Sequence, residues 1–224
     1  MVCSLNCFLD FVEADSSKTR DLIVLRYKRA KSGEAKGRST YYTPALQVIK
    51  RTLCPDGTAE QKVAAIAAVC SSRPTWTDQA NDSRKESNVR VFRAFHSKFG
   101  SKEIKIFPAP RMQFQVSKDV AVNIQPDLFF ESEKHVTMLK LGLCKKPRSE
   151  SAVRLILQAL SKASKRKGLK LPIKNFQFLD TVSGNSFVEH DEKIDLEEHL
   201  AAVANDLNES GTVTDANVGA PLMR

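Results

Sequence analysis

Two residues of this chain are of types that act together on phosphate groups: Asp127, directly after Pro126, and Lys140, in an apolar stretch that follows. In such chemistry two carboxylates converge on a divalent cation, which polarises the phosphate and makes hydroxide from bound water. A lysine stabilises the charge that develops. An acid two places before the lysine would share its face of a strand, since side chains alternate with a period of two. That place holds Met138, a thioether that does not bind magnesium. The oxygens that remain are those of Asp127 and the backbone carbonyl of Leu139, so a displaced acid is needed. Glu131 and Glu133 fall at a hairpin tip, away from the inner end of the strand. Glu86 is the candidate for the second acid if the helix that carries it crosses the sheet there. A plainer reading stands beside this one. Pro-Asp is common turn chemistry, and a lysine in an apolar strand needs a partner, so Asp127 and Lys140 also read as a simple salt bridge.

The elements around these residues follow from punctuation and period. Thr43-Pro44 reads as an N-cap with proline at N1, opening a short helix with Leu46, Ile49 and Leu53 on one face. Thr58-Ala59-Glu60-Gln61 fits a capping box, followed by Val63, Ile66, Ala67 and Cys70 at helical spacing. A third helix, from about 82 to 99, gathers Val89, Phe92, Phe95 and Phe99 and should end in a left-handed C-cap at Gly100. The first hundred residues are thus expected to be mostly helical. After Pro108-Ala109-Pro110 the period becomes two. Met112–Val116 and a long second strand, from Val120 through Pro126 to Phe130, predict a hairpin, and His135–Leu143 predicts a third strand. A helix is expected from about 151 to 167, then a fourth strand and hairpin around Phe176–Leu179 and Phe187-Val188. Leu196, Leu200, Val203 and Leu207 describe a final amphipathic helix before a small, polar, disordered tail at 210–224.

The chain has 224 residues, 42% of them hydrophobic and 27% charged, which is the balance of a water-soluble globular protein with one large domain or two small ones. No run approaches the roughly 18 apolar residues of a membrane span, and the start has no basic segment ahead of an apolar one. A cytoplasmic protein with no membrane partner is expected. The five cysteines are scattered and read as reduced structural thiols, and the four histidines lack metal-ligand spacing. Nucleotide-loop, dinucleotide and serine-hydrolase motifs are absent. The net charge of +9 is concentrated in residues 145–174, which alone sum to +9, whereas 189–209 sum to −7. The basic window is either a polyanion footprint or a surface neutralised by the acidic helix after it.

From about 82 to 190 the order is helix, three antiparallel strands, helix, strand, with Pro126-Asp127 on the second strand and Lys140 in the third. In this the sequence resembles the PD-(D/E)XK superfamily, the restriction-endonuclease-like nucleases that include the RecB type. It is also similar to bacterial proteins with a proline-acid pair, a lysine-rich segment, a helix and a Leu-Asp-x-x-x-Gly strand, here Leu179–Gly184. The resemblance implies an α+β fold in which a helical extension (1–81) packs on a core that ends in the acidic helix (82–209). It implies Asp127 as metal ligand, Lys140 as transition-state stabiliser and Glu86 as the other acid, with Mg or Mn as the only cofactor. It also implies DNA phosphates held by Lys145, Lys146, Arg148, Arg154, Lys162, Lys165 and Arg166, with Gln158 helping to place the DNA. With Met138 at the acid position, the expected function is a nucleic-acid-associated protein with a degenerate nuclease fold, binding or scaffolding on DNA, on a protein partner or as a homodimer. The alternative is a divalent-metal-dependent deoxyribonuclease.

Overall fold

The computed structural model describes residues 2–5, 9–10, 13–16, 18–23, 41–50, 56–71, 77–115 and 121–189. The expected acidic helix and the tail at 210–224 lie outside them. The chain forms two compact units, one of Met1–Lys36, Gln113–Ile124 and Lys193–Arg224, the other of Gly37–Met112 and Gln125–Glu192. The first holds a three-stranded sheet. β1 (Val2–Ser4) runs parallel to β4 (Ala121–Ile124), and β3 (Met112–Gln115) lies on the other side of β4.

The second unit is mixed α+β. Its helices are α1 (Thr43–Ile49), α2 (Ala59–Ser71), α3 (Asp78–Phe99) and α4 (Glu150–Arg166). Its five strands are β2 (Ile104–Phe107), β5 (Leu128–Ser132), β6 (His135–Leu141), β7 (Phe176–Leu179) and β8 (Ser186–Val188), which stand side by side in that order. β5 is antiparallel to both β2 and β6, β7 is parallel to β6 through the α4 crossover, and β8 returns antiparallel. The three-stranded antiparallel run is therefore β2, β5 and β6. The expected hairpin with a long second strand is corrected at Pro126. Pro126 has no N–H to give a ladder, and the chain leaves the first sheet at Ile124 and enters the second at Leu128. β2 takes the place that sequence reading gave to β3.

One face of the five-stranded sheet carries the core. Leu128, Phe130, Leu139, Leu141 and Leu179 pack with Ala45, Val48 and Ile49 of α1, Ile66 and Cys70 of α2, and Val91, Phe92, Phe95 and Phe99 of α3. The capping box of α2 forms as expected: Thr58 N–H donates to Gln61 Oε1 at 2.8 Å and Gln61 N–H to Thr58 Oγ1 at 3.3 Å. α1 is capped differently from the expectation. Tyr42 is its N-cap without a side-chain bond, and the fully buried Asn88 of α3 accepts from Ala45 N–H at 3.0 Å. The Asn88 amide also donates to the Tyr41 and Arg84 carbonyls, each at 2.9 Å, so one buried side chain supplies the cap and ties two helices together. Gly100 is right-handed (φ −66°), not left-handed. A Cβ there would collide with the His96 carbonyl, so close approach accounts for the glycine.

β5 and β6 are joined by Glu133 (φ 52°) and Lys134 (φ 65°), a two-residue turn with both residues left-handed. Each pays for a conformation that asparagine and glycine adopt more readily. Glu133→Asn with Lys134→Gly should stabilise the protein by about 1–2 kcal/mol despite losing the exposed Lys102–Glu133 ion pair, which contributes little. An upward shift of the urea unfolding midpoint at constant slope is the expected result.

Candidate functional site

Asp127 and Lys140 meet at the edge where β5 begins and β6 ends. Leu128 is the register partner of Leu139, yet Asp127 N–H also donates to Leu139 O at 3.0 Å. Two residues of one strand thus face one of the other, the bulge geometry that re-aims a side chain. The Asp127 carboxylate turns back on β6, where Oδ2 accepts the Leu141 N–H at 2.9 Å. The Lys140 ammonium lies 3.1 Å from Oδ1 and 3.1 Å from Oδ2, and it donates also to the Gln125 carbonyl at 3.2 Å. The side chains of Lys140 and Asp127 are 9% and 15% exposed, so this is a nearly buried, well-bonded pair rather than a surface contact.

The second acid has no place here. Met138 is fully buried, on the same face as Lys140, with Phe129 and Phe176 as its strand partners. Glu86 is exposed on α3, and α3 packs on the Leu139 and Leu141 face, so strand alternation sends Lys140 to the opposite side of the sheet. Glu86 and Asp127 are therefore not brought together. Among the described residues no three His, Cys, Asp or Glu side chains gather in a way that could hold a metal ion. With one carboxylate already met by an ammonium and a backbone N–H, the residues present do not fit Mg or Mn.

The basic residues proposed for phosphate contact do not form one patch. Lys145 and Lys146 are exposed in the loop after β6, with Arg148 half-buried nearby in sequence. Arg154, on the second turn of α4, pairs with Glu150 at 2.7 Å. Lys162 is half-buried, and Lys165 and Arg166 are exposed in the last turns of the same helix. A helix of 17 residues is about 25 Å long, so the two groups lie at its opposite ends. Gln158 is buried and is not presented to a ligand at the surface.

The Leu-Asp-x-x-x-Gly pattern acquires a structural meaning. Asp180 is buried at the carboxyl end of β7. Its Oδ1 accepts from Val182 N–H at 2.9 Å and its Oδ2 from Ser183 Oγ at 2.7 Å, while Gly184 is left-handed (φ 77°). The aspartate builds the turn and the glycine supplies its positive φ. Thr181 Oγ1 donates to Gly142 O at 2.6 Å, locking this turn to the end of β6.

Sequence reasoning missed a groove of about 650 Å³ beside that turn, on the α3 face. Lys85, Arg90 and Arg93 of α3 line it, with Val63 of α2 and the 181–184 turn opposite. The signal was available: Lys85, Val89 and Arg93 recur every four residues on one helix. Arg90 Nη2 donates to the Cys144 carbonyl at 2.8 Å, holding α3 to the loop after β6. Burial pushes the Tyr42 phenol up, and the Arg90 guanidinium partly opposes that. Burial likewise pushes the Cys70 thiol up. It is free and enclosed, in keeping with a structural role.

Compared with known proteins, the chain matches no family model, and no curated protein is significantly similar to it. Among the described residues no helix is long and apolar enough to cross a membrane.

The ion pair makes an asymmetric prediction. Asp127→Ala strands a buried ammonium and leaves Leu141 N–H unpaired, and should cost about 3–5 kcal/mol. Lys140→Met leaves a carboxylate that keeps its backbone bond and some solvent, and should cost about 1–2 kcal/mol. Equal losses in chemical denaturation would show that the pair does not carry the strand junction.

Proposed function

We propose that this chain is a nucleic-acid-associated protein on a degenerate restriction-endonuclease-like core, one that binds or scaffolds without efficient phosphodiester cleavage. The order α3, β2–β5–β6, α4, β7 supports the fold reading, since it is the helix, antiparallel triplet, helix, strand order of the PD-(D/E)XK nucleases. The pairing of Asp127, just before the second strand of that triplet, with Lys140 in the third supports the same reading.

The observation that carries the non-catalytic reading is the fully buried Met138. An active site of this kind needs two converging carboxylates to raise a cation's local charge and fix its geometry. Here the acid position belongs to the apolar interior, and the surviving acid and lysine neutralise each other. Such a pair holds the strand junction without any cation. The exposed Lys145 and Lys146 at the carboxyl end of β6, together with the cations of the α3 groove, support contact with phosphate.

The test is retention and cleavage of labelled duplex and single-stranded DNA with magnesium or manganese, for wild type, Asp127→Asn and Lys140→Met. Retention that weakens steeply with salt, without cleavage in any protein, is the expected outcome. Metal-dependent cleavage lost in both variants would establish a deoxyribonuclease instead. Absence of retention at any salt would remove nucleic acid from the reading.

A further inference from the structure

The α3 groove has no role in the PD-(D/E)XK motif, because it lies on the sheet face opposite Lys140. It nevertheless sits at the carboxyl ends of the parallel strands β6 and β7, where crossover sheets commonly leave a ligand crevice. Three of its lining residues are cationic, Lys85, Arg90 and Arg93, against the single acid Glu86. Lys85 and Arg93 are exposed and form no ion pair among the described residues. They stand two turns apart on α3, about 12 Å along the axis, with Val89 between them. That spacing suits a ligand with repeated charges better than a single anion.

The turn opposite does not compete for such a ligand with acids. The Asp180 carboxylate is buried, accepts from Val182 N–H and Ser183 Oγ, and does not line the groove. The Ser183 and Thr181 hydroxyl protons are likewise committed, to Asp180 and to Gly142 O, so recognition falls to the cations of α3. The lining contains no aromatic ring, which leaves no platform for stacking a base. A guanidinium and an ammonium over an apolar floor are suited to phosphate oxygens and sugar.

We infer that this groove binds the phosphodiester backbone of a nucleic acid without reading its bases, a second contact that rests on the nucleic-acid reading above. The experiment measures anisotropy of a labelled duplex DNA across a salt series, with the full chain. It compares wild type, Lys85→Ala/Arg93→Ala, and the charge-matched Lys102→Ala/Lys105→Ala, in the turn after α3 and on β2, neither of which lines the groove. All positions changed are exposed, and equal unfolding midpoints confirm that the proteins are folded. The groove variant should lose about tenfold or more in affinity, and its salt slope should fall by about two, one for each phosphate contact removed. The control should stay within about twofold of wild type. Equal losses in groove variant and control, or none in either, would overturn the groove while leaving the nucleic-acid reading in place. No binding by wild type would overturn both. Competition by poly-glutamate as effective as by unlabelled DNA would assign the groove to acidic peptides and overturn the inference.

Discussion

The junction of β5 and β6 depends on one carboxylate. Asp127 follows a proline that cannot donate to a ladder, in a segment where the chain passes from one sheet to another. Its side chain takes the Leu141 N–H, and the same carboxylate accepts an ammonium that would otherwise be an isolated charge in an apolar strand. A buried ion pair is seldom a gain over apolar packing, because desolvation offsets most of the attraction. Its worth here is geometric. The pair fixes where β5 starts, and so sets the register that brings Leu128 opposite Leu139 and buries both in the core with α3.

From that register the rest of the second unit follows. With Leu139 and Leu141 committed to the helical side, Met138 and Lys140 must face the other way, in line with Phe176 and Phe178 on β7. The parallel pairing of β6 with β7 requires a crossover, which α4 supplies, and α4 is buried along most of its surface. The crossover also brings the two strand ends to one edge, where Thr181 and Gly142 join them. Gly142 belongs to this arrangement: a Cβ would lie 3.0 Å from the Phe178 ring and 3.3 Å from the Asp180 backbone.

How much was legible depended on whether the signal was local. The helices α2 and α4 were readable because caps and 3.6-residue periods lie within each segment, and the Thr58–Gln61 box formed as written; α3 was read from its period alone, four residues short of its start at Asp78 and with a C-cap of the wrong hand. The cap of α1 was not readable, since its acceptor, Asn88, comes from more than forty residues away. β2 was missed because four residues between a helix end and a proline carry too little pattern, and it earns its place only by pairing with β5. The long second strand was overdrawn because alternation continued through Pro126, where backbone chemistry overrode it. At the site, Asp127 and Lys140 were named together and are together. Glu86 was assigned on the assumption that its helix crossed to their side of the sheet, and a single sequence does not reveal which face a helix covers.

If the chain is a degenerate nuclease fold, as proposed, the arrangement explains why loss of one acid need not unmake it. On the proposed reading, the lysine and the remaining aspartate of a metal site become each other's counter-charge once the cation is gone, and the surplus position turns apolar. On the same reading, Met138 between Phe129 and Phe176 completes that change, because a carboxylate there would be fully buried beside two aromatic strand partners. Exposed cations lie elsewhere, among them those of the loop after β6 and of α3, where solvent screens them and, on the proposed reading, a polyanion would displace it. On that reading, binding and the former chemistry are separated in space: the ion pair answers to the stability of the sheet, and the surface charges answer to a ligand.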